Sequence, residues 1–516
     1  MHSAVQTLGD VVQRNARHFP DREAVIAGDV RLTHAEVNAR ANRLAHALRG
    51  LGVEPGDRVA LLARNDYRFV EIYFALPKIG AIFAPLNFWA SERELAYMLN
   101  LCSASVLIVS GSYLETLETI RPDLSAVRHV VVYEGTLPGG AIAYDSLLGD
   151  GDESEPTPRP QPHDDTLILF TSGSTGPPKG AVYTHHGLLY TANAMDLEYG
   201  VREDDVTLHF LPMFSSNLEH LLPLAYMGAT HVVLPRFDPP VVWETIERER
   251  VTHFDSVPTT MRLLLQDPAI DTCDHSSLRL VTYASEPMPP ATITAWLERL
   301  PHTEAVQFYG MIEFLCVTAQ QPWAQLGKLG TVGRPHAGTE VRLVDENGED
   351  VPGGEIGEVI ARCPCGMRGY WDDPEATAKA MPDGWMVTGD LGRFDEDGFL
   401  TLVGRKKDII KSAGMSISAA EVEGVIYEHP AVSEAAVFGI PDSDYGEAVQ
   451  AVVALQPDAA LTEQDLIDYC SERLAGYKKP RSVVFMETLP KTGIGKIAKK
   501  VLQDEFRERA DVRADD

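Results

Sequence analysis

Cysteine is scarce, with six residues in a chain of 516, at the irregular positions Cys102, Cys273, Cys316, Cys363, Cys365 and Cys470. A disulfide scaffold or a zinc cluster needs denser, regular spacing. Cys363-Pro364-Cys365 has the wrong spacing for a CxxC redox or zinc motif, so no metal or disulfide role is expected. Basic residues are also in deficit: 45 Lys and Arg face 75 Asp and Glu, a formal net charge of −30. That balance excludes a general nucleic-acid binder, which needs a basic footprint. It equally disfavours adsorption to anionic lipid. No uncharged apolar run approaches the length of a membrane span. The start, Met1-His2-Ser3-Ala4-Val5-Gln6, lacks a basic segment followed by an apolar one, so a cytoplasmic location is expected. Neither an internal repeat nor a heptad array is visible.

What is present is ample for a large core. The length argues for more than one domain, and 44% apolar residues is an ordinary globular share. The first 150 residues alternate between helical and extended patterns. Residues 33–51 read as an amphipathic helix with Val37, Ala41, Leu44, Ala45 and Leu48 on one stripe. Pro55-Gly56-Asp57 turns the chain, and residues 58–62 read as a buried strand. A helix follows over 69–79, then the apolar run 81–84. Ser91 with Glu94 forms a capping-box pattern for another helix. Residues 105–109 and 166–170 read as strands. Such alternation predicts an α/β fold with largely parallel sheets. The Pro-rich stretch 151–162 reads as a surface loop within one domain. A β-rich section ends at Gly398–Gly404, after which helices and strands alternate again. Residues 405–516 carry 15 Lys and Arg against 20 Asp and Glu. Within 478–500 the bases Lys478, Lys479, Arg481, Lys491, Lys496, Lys499 and Lys500 face Glu487 alone. A local basic segment in an acidic chain suits either a solvated surface or a phosphorylated small molecule.

The strongest local signal is Thr171-Ser172-Gly173-Ser174-Thr175-Gly176-Pro177-Pro178-Lys179-Gly180, directly after an expected strand. Glycines let backbone N–H groups turn toward an anion, and the hydroxyls and ammonium add donors. This set suits a polyphosphate. It is not a Walker A loop, because Lys179 precedes Gly180 and no Gly-Lys-Ser/Thr occurs.

The segment resembles the phosphate loop of the adenylate-forming superfamily, most closely its acyl-CoA synthetases. Further motifs of that superfamily occur in order: Tyr309-Gly310-Met311-Ile312-Glu313, Thr388-Gly389-Asp390, Gly404-Arg405-Lys406-Lys407-Asp408 and Pro490-Lys491-Thr492-Gly493-Ile494-Gly495-Lys496. Each is weak alone; their order is specific. The resemblance implies a large N-terminal AMP-binding domain of stacked α/β subdomains with a β-rich section, residues 1–404. It also implies a small mobile α+β C-terminal domain, residues 405–516, with a hinge near Lys407.

The resemblance assigns roles as well. Lys496 is the expected catalytic lysine, and Glu313 the expected Mg²⁺ ligand, also counted as catalytic. Thr171, Ser172, Gly173, Ser174, Thr175, Gly176 and Lys179 would hold the β and γ phosphates of ATP. Ser285, Glu286 and Pro287, together with Phe308, Tyr309, Gly310, Met311 and Ile312, would line the nucleotide site, with Tyr309 on adenine. Asp390 would accept from the ribose hydroxyls, beside Leu402 and Arg405. Met213, Phe214, Ser215, Asn217, Tyr283, Ala284 and Met311 are the candidate acyl pocket. Gly414, Tyr445, Lys478 and Lys479 are the candidates for CoA. Four positions depart from the usual pattern. Ile312 stands where a Thr donates to phosphate, and an isoleucine cannot donate. Ser215 replaces a frequent His or aromatic, Ala413 a glycine, and Ala419 a proline.

The activity implied is an ATP-dependent carboxylic acid:CoA ligase that works through an acyl adenylate with pyrophosphate release. Two alternatives stay open. One is adenylation alone, with the acyl group passed to an acyl carrier protein in trans, an amine or a partner enzyme. The other is a catalytically silent nucleotide-binding protein. A small carboxylic acid, aryl or medium aliphatic, is the expected substrate, and a monomer or homodimer the expected assembly. No nucleic acid and no membrane span are expected.

Overall fold

A computed structural model describes residues 5–149, 151–171, 177–215, 218, 220–412, 415–442, 445–491 and 497–514. The chain divides into two compact units, Met1–Val341 with Ala361–Met386, and Arg342–Ile360 with Val387–Asp516.

The first unit holds two large sheets. In the nine-stranded sheet, Glu23–Ala27, Thr230–Val233, Val206–His209, His253–Ser256, Leu280–Tyr283 and Glu304–Met311 run parallel in that spatial order. Phe314–Gln320 and Arg334–Pro335 extend it antiparallel. The eight-stranded sheet has a parallel centre of Asp165–Phe170, Ile82–Pro85, Arg58–Leu62, Val106–Ser110, His129–Tyr133 and Ile142–Ala143. Gly180–Thr184 and Gly369–Tyr370 add antiparallel strands to its other edge. The inner strands are covered on both faces, which is why they read as continuous apolar runs.

The expected elements are found with small shifts at their ends. The helix expected over 33–51 is His34–Gly50, capped by Thr33 and Glu36 in a capping box, with the whole predicted stripe buried. Ser91 and Glu94 likewise cap Glu92–Leu101. The core of the nine-stranded sheet packs Trp243, Phe254 and Trp296 under the helices Pro239–Glu249, Pro258–Gln266 and Pro290–Arg299. The Pro-rich 151–162 stretch is tied down within this unit. Asn42 donates to the Glu153 carbonyl, Arg49 to that of Thr157, and Lys78 pairs with Glu155 at 2.7 Å.

One expectation is corrected. Cys363 and Cys365 form a disulfide across the turn at Pro364, with their Cα atoms 5.3 Å apart. The spacing excludes a CxxC motif but not a bridge between residues two apart.

The second unit holds almost all of a four-stranded sheet, ordered Glu340–Val344, Gly357–Arg362, Met386–Phe394 and Leu400–Arg405. A five-stranded sheet follows, built around the long hairpin Val432–Asp442 and Gly446–Leu455. Among the described residues no helix is long and apolar enough to cross a membrane.

Histidines are buried in unusual number in the first unit. Loss of hydration holds His34, His185, His209, His253 and His336 at about 4. They are neutral in the folded chain, whereas unfolded histidine titrates at roughly 6.5. The unfolded state therefore binds more protons as the pH drops, and stability is lost from about pH 6.5 down through about pH 4. The urea midpoint is expected to fall steadily across that window; a flat profile between pH 7 and 4.5 would show these side chains to be hydrated.

Candidate functional site

Parallel strands deliver their connections to one end of a sheet, and ligand sites form there. In the first unit these connections carry most of the nominated residues. Leu280–Tyr283 leads into Ala284, Ser285, Glu286 and Pro287, with Ser285 in the left-handed region at φ 76°. Glu286 Oε2 accepts from the Thr259 hydroxyl at 3.4 Å. Val206–His209 leads into the loop of Met213, Phe214 and Ser215.

Glu304–Met311 turns directly into Phe314–Gln320, with Met311 paired to Phe314, so Ile312 and Glu313 occupy the tip of a tight hairpin. Gly310 is required just before that tip: a Cβ there would run into the Leu315 carbonyl oxygen. The Tyr183 hydroxyl donates to the Ile312 carbonyl, fixing the tip from outside. Consecutive strand residues face opposite ways, so Phe308 and Tyr309 lie on different faces of the sheet.

Thr171 and Lys179 close the base of the Gly/Ser-rich loop. The Thr171 N–H donates to the Lys179 carbonyl at 2.9 Å, and the Lys179 N–H to Thr171 Oγ1 at 3.1 Å. Ser172, Gly173, Ser174, Thr175 and Gly176 lie outside the described residues.

Tyr370 links this loop to the hairpin, and the sequence reading missed it. Its hydroxyl donates to Glu313 Oε1 at 2.7 Å, and the Lys179 ammonium sits 4.9 Å from its ring centre. Burial, and then the Glu313 charge, raise the Tyr370 phenol far above its usual range, so it stays a donor. Strand pairing positions it: Tyr370 lies opposite Ala181, next to the loop's exit. The available signal was an aromatic residue in a short Gly-Tyr-Trp stretch with no apolar periodicity.

The acyl candidates separate. The side-chain amide of Asn65 clamps the loop, donating to the Leu211 carbonyl at 2.8 Å and accepting from the Met213 N–H at 2.9 Å. Met213 is buried, and Phe214 packs edge-on against Phe88 and Trp89. The Ser215 hydroxyl donates to the Pro212 carbonyl at 3.1 Å. Asn217 is outside the described residues. Ala284 packs with Phe308 and Tyr199. Tyr283 instead joins the Trp243 and Trp296 core, its hydroxyl donating to Gln325 at 2.6 Å.

In the second unit Asp390 lies opposite Arg405, with Arg405 Nε 3.3 Å from Asp390 Oδ1. Gly389 takes φ 73°, and the Asp390 N–H donates to Thr388 Oγ1. Leu402 lies opposite Gly392 on the same hairpin. Lys407 falls in the single turn Lys406–Asp408 that follows. Three bases of the 478–500 segment are committed to carboxylates. Lys478 pairs with Glu421 at 2.6 Å, Lys491 with Glu434 at 2.5 Å, and Lys499 with Glu423 at 2.6 Å. Arg481 lies 3.6 Å from the Tyr445 ring centre, while Lys479 is half-buried. Lys496, Gly414 and Ala413 lie outside the described residues. Among those described, no cluster of three or more His, Cys, Asp or Glu could hold a metal by itself.

Comparison with known proteins agrees with this arrangement. The model for the AMP-binding enzyme family matches residues 12–371, and that for the AMP-binding enzyme C-terminal domain matches 421–496. A feruloyl-CoA synthase from an Amycolatopsis species is 38% identical over 505 residues, 97% of this chain and 99% of that protein. The crystal structure of the anthranilate CoA ligase AuaEII with anthranoyl-AMP superposes with a TM-score of 0.90 at 32% identity, covering 98% of each chain. The amide bond synthetase McbA from Marinactinospora thermotolerans superposes with a TM-score of 0.88 at 31% identity, covering 97% of this chain and 100% of that one.

Replacing Tyr370 by Phe removes the donor to Glu313 and keeps the ring under Lys179. Acid-dependent pyrophosphate release from ATP is expected to fall about tenfold in kcat, the worth of one hydrogen bond to a charged group. The KM for the acid should move little, and an unchanged kcat would detach Tyr370 from the chemistry.

Proposed function

The chain belongs to the AMP-binding enzyme family, and on that premise we propose which of its residues carry the reaction and which acid it takes. The protein is an AMP-forming acyl-CoA synthetase. It binds ATP and a small carboxylic acid; a carboxylate oxygen attacks the α-phosphorus, and pyrophosphate leaves. The thiol of CoA then attacks the acyl carbon of the adenylate, a thioester forms, and AMP leaves.

The first step brings one anion onto another, so its transition state needs cationic and hydrogen-bonding help. We assign the β and γ phosphates to the Thr171–Lys179 loop, whose base is pinned by the two Thr171–Lys179 bonds. Glu313 is the metal ligand in this reading. Its Oε1 takes the Tyr370 hydroxyl, which leaves Oε2 for a cation. Mg²⁺ uses one or two carboxylates, with phosphate and water oxygens completing its shell, so a lone carboxylate at a hairpin tip fits it. Bound there, Mg²⁺ would neutralise phosphate charge. Asp390 accepts from the ribose, with Arg405 beside it. Lys496 is the lysine offered to the α-phosphate and the incoming carboxylate. Gly414, Tyr445, Lys478 and Lys479 are assigned to CoA, and residues near Lys407 to a hinge between residues 1–404 and 405–516. Of the CoA candidates, Lys478 would have to exchange Glu421 for a phosphate.

For the acid we propose an aryl carboxylate. The feruloyl-CoA synthase and the anthranilate CoA ligase take such acids by name. Phe214 extends from the acyl loop into an aromatic group with Phe88 and Trp89. The likeness to the amide bond synthetase supports a second reading, in which an amine takes the acyl group from the adenylate.

A panel of aryl and aliphatic acids read by pyrophosphate release, with and without CoA, amines and holo carrier protein, separates these readings. Aryl acids that turn over with CoA are the expected outcome; a product formed only with amines would favour the second. Lys496→Ala is expected to slow adenylation about a hundredfold to a thousandfold, as loss of a transition-state donor does. Ile312→Thr restores a phosphate donor and is expected to raise the adenylation rate about tenfold. No change in either variant would remove these roles.

A further inference from the structure

His336 is 1% exposed, and neither of its ring nitrogens has a hydrogen-bond partner. Among the described residues it is the one histidine with both nitrogens buried and unmatched. The other buried histidines of the sheet are bonded: His209 to His231, His253 to Thr207 and Thr282, His34 to the Gly228 carbonyl. Two unmatched polar atoms on one buried ring are unfavourable and need a reason. Thr339 Oγ1, three residues on, is buried and unmatched too.

The backbone holds this ring in place. The His336 N–H donates to the Val317 carbonyl at 3.0 Å, and the Thr339 N–H to the His336 carbonyl at 2.8 Å. Ala337 is fixed by Glu198 at 3.1 Å, and Tyr190 packs close against Gly338. The backbone that carries the imidazole is therefore held at several points.

Its surroundings identify the site. The ring centre lies 6.2 Å from that of Phe308, and His220 lies 6.2 Å from the same ring. His220 follows the Met213–Asn217 acyl loop by three residues. Its Nδ1 is 2.9 Å from Asp255 Oδ1 and 2.6 Å from the Tyr199 hydroxyl. Ala284, another acyl candidate, packs on the same cluster. Phe308 faces away from Tyr309, the residue assigned to adenine. His336 thus lies beside the Phe308 ring, on the face of the strand opposite Tyr309.

We propose that His336 is a specificity-determining residue of the acyl site, and that the acid carries a hydroxyl at its far end which bonds to this imidazole. The proposal rests on the acyl-CoA synthetase reading and narrows its substrate. A neutral imidazole offers one donor and one acceptor. A hydroxyl can meet either, and a methyl group of similar size meets neither. Burial holds His336 at about 4, so the ring is neutral at pH 7.

The test compares matched acids on the full chain: para-hydroxycinnamate with para-methylcinnamate, and omega-hydroxyoctanoate with nonanoate. The readouts are kcat/KM for pyrophosphate release and, separately, affinity by calorimetry. The hydroxy acid is expected to be favoured about tenfold or more in at least one pair. His336→Leu should bring that ratio close to one, and His336→Gln, which keeps a donor and an acceptor, should retain part of it. Equal affinities and equal kcat/KM within both pairs would overturn the proposal, as would a ratio that survives His336→Leu. Should the Leu variant not fold, the wild-type ratio and a partial ratio in the Gln variant decide. A calorimetric preference with no pyrophosphate release from any acid would sink the synthetase reading and support the subsite. Turnover without preference would do the reverse.

Discussion

The hairpin that ends at Glu313 turns so tightly that residue 310 has no room for a side chain. A Cβ there would meet the Leu315 carbonyl, so only glycine lets Glu304–Met311 pass into Phe314–Gln320. This close approach fixes the position of Glu313 at the tip. It also brings the carboxylate within 2.7 Å of the Tyr370 hydroxyl, and Tyr370 in turn lies under Lys179. One steric limit in one sheet thus sets the spacing between the Glu313 carboxylate and the Lys179 ammonium beside the other sheet. The same strand sends Phe308 to one face and Tyr309 to the other.

Charge imposes the second constraint. The chain carries 30 more acidic than basic residues, yet its substrates are anions. Among the described residues many of its cations are paired with carboxylates. In the 478–500 segment, Lys478, Lys491 and Lys499 each hold a carboxylate of the second unit. These pairs are partly exposed, so each contributes little to stability. Their effect is to cancel part of the excess positive charge of the segment. A basic stretch in a sequence is thus not by itself an anion site: the carboxylates that neutralise it lie tens of residues away.

Much of the fold could be read in the sequence because its signals are local. The stripe of Val37, Ala41, Leu44, Ala45 and Leu48, and the Thr33–Glu36 and Ser91–Glu94 capping boxes, are decided within one or two helical turns. The motifs around Thr171, Glu313 and Asp390 were legible for a related reason, since each is a turn whose geometry demands particular residues. Part of what could not be read depended on distant pairing. Tyr370 acquires its role only because Gly369–Tyr370 pairs with Gly180–Thr184, nearly 190 residues earlier. Tyr283 looked like its neighbour Ala284, but the alternation of a strand turns it into the Trp243–Trp296 core. The Cys363–Cys365 bridge joins residues two apart, a spacing that the rules for metal and redox motifs do not describe.

The buried polar groups of the first unit follow one further rule. Asp255 is almost wholly enclosed, and the loss of water would raise its carboxyl; His220, His253 and the Thr282 hydroxyl more than reverse that and hold it ionised. A buried charge is tolerable where it is paired and hydrogen-bonded, and costly where it is not. The His220–Asp255–Tyr199 group meets that condition from within the protein. His336, beside the same Phe308 ring, does not. Two histidines at equal distance from one aromatic ring, one fully partnered and one wholly unpartnered, differ in what completes them. The first is completed by the fold; the second is left for a group that arrives with the substrate.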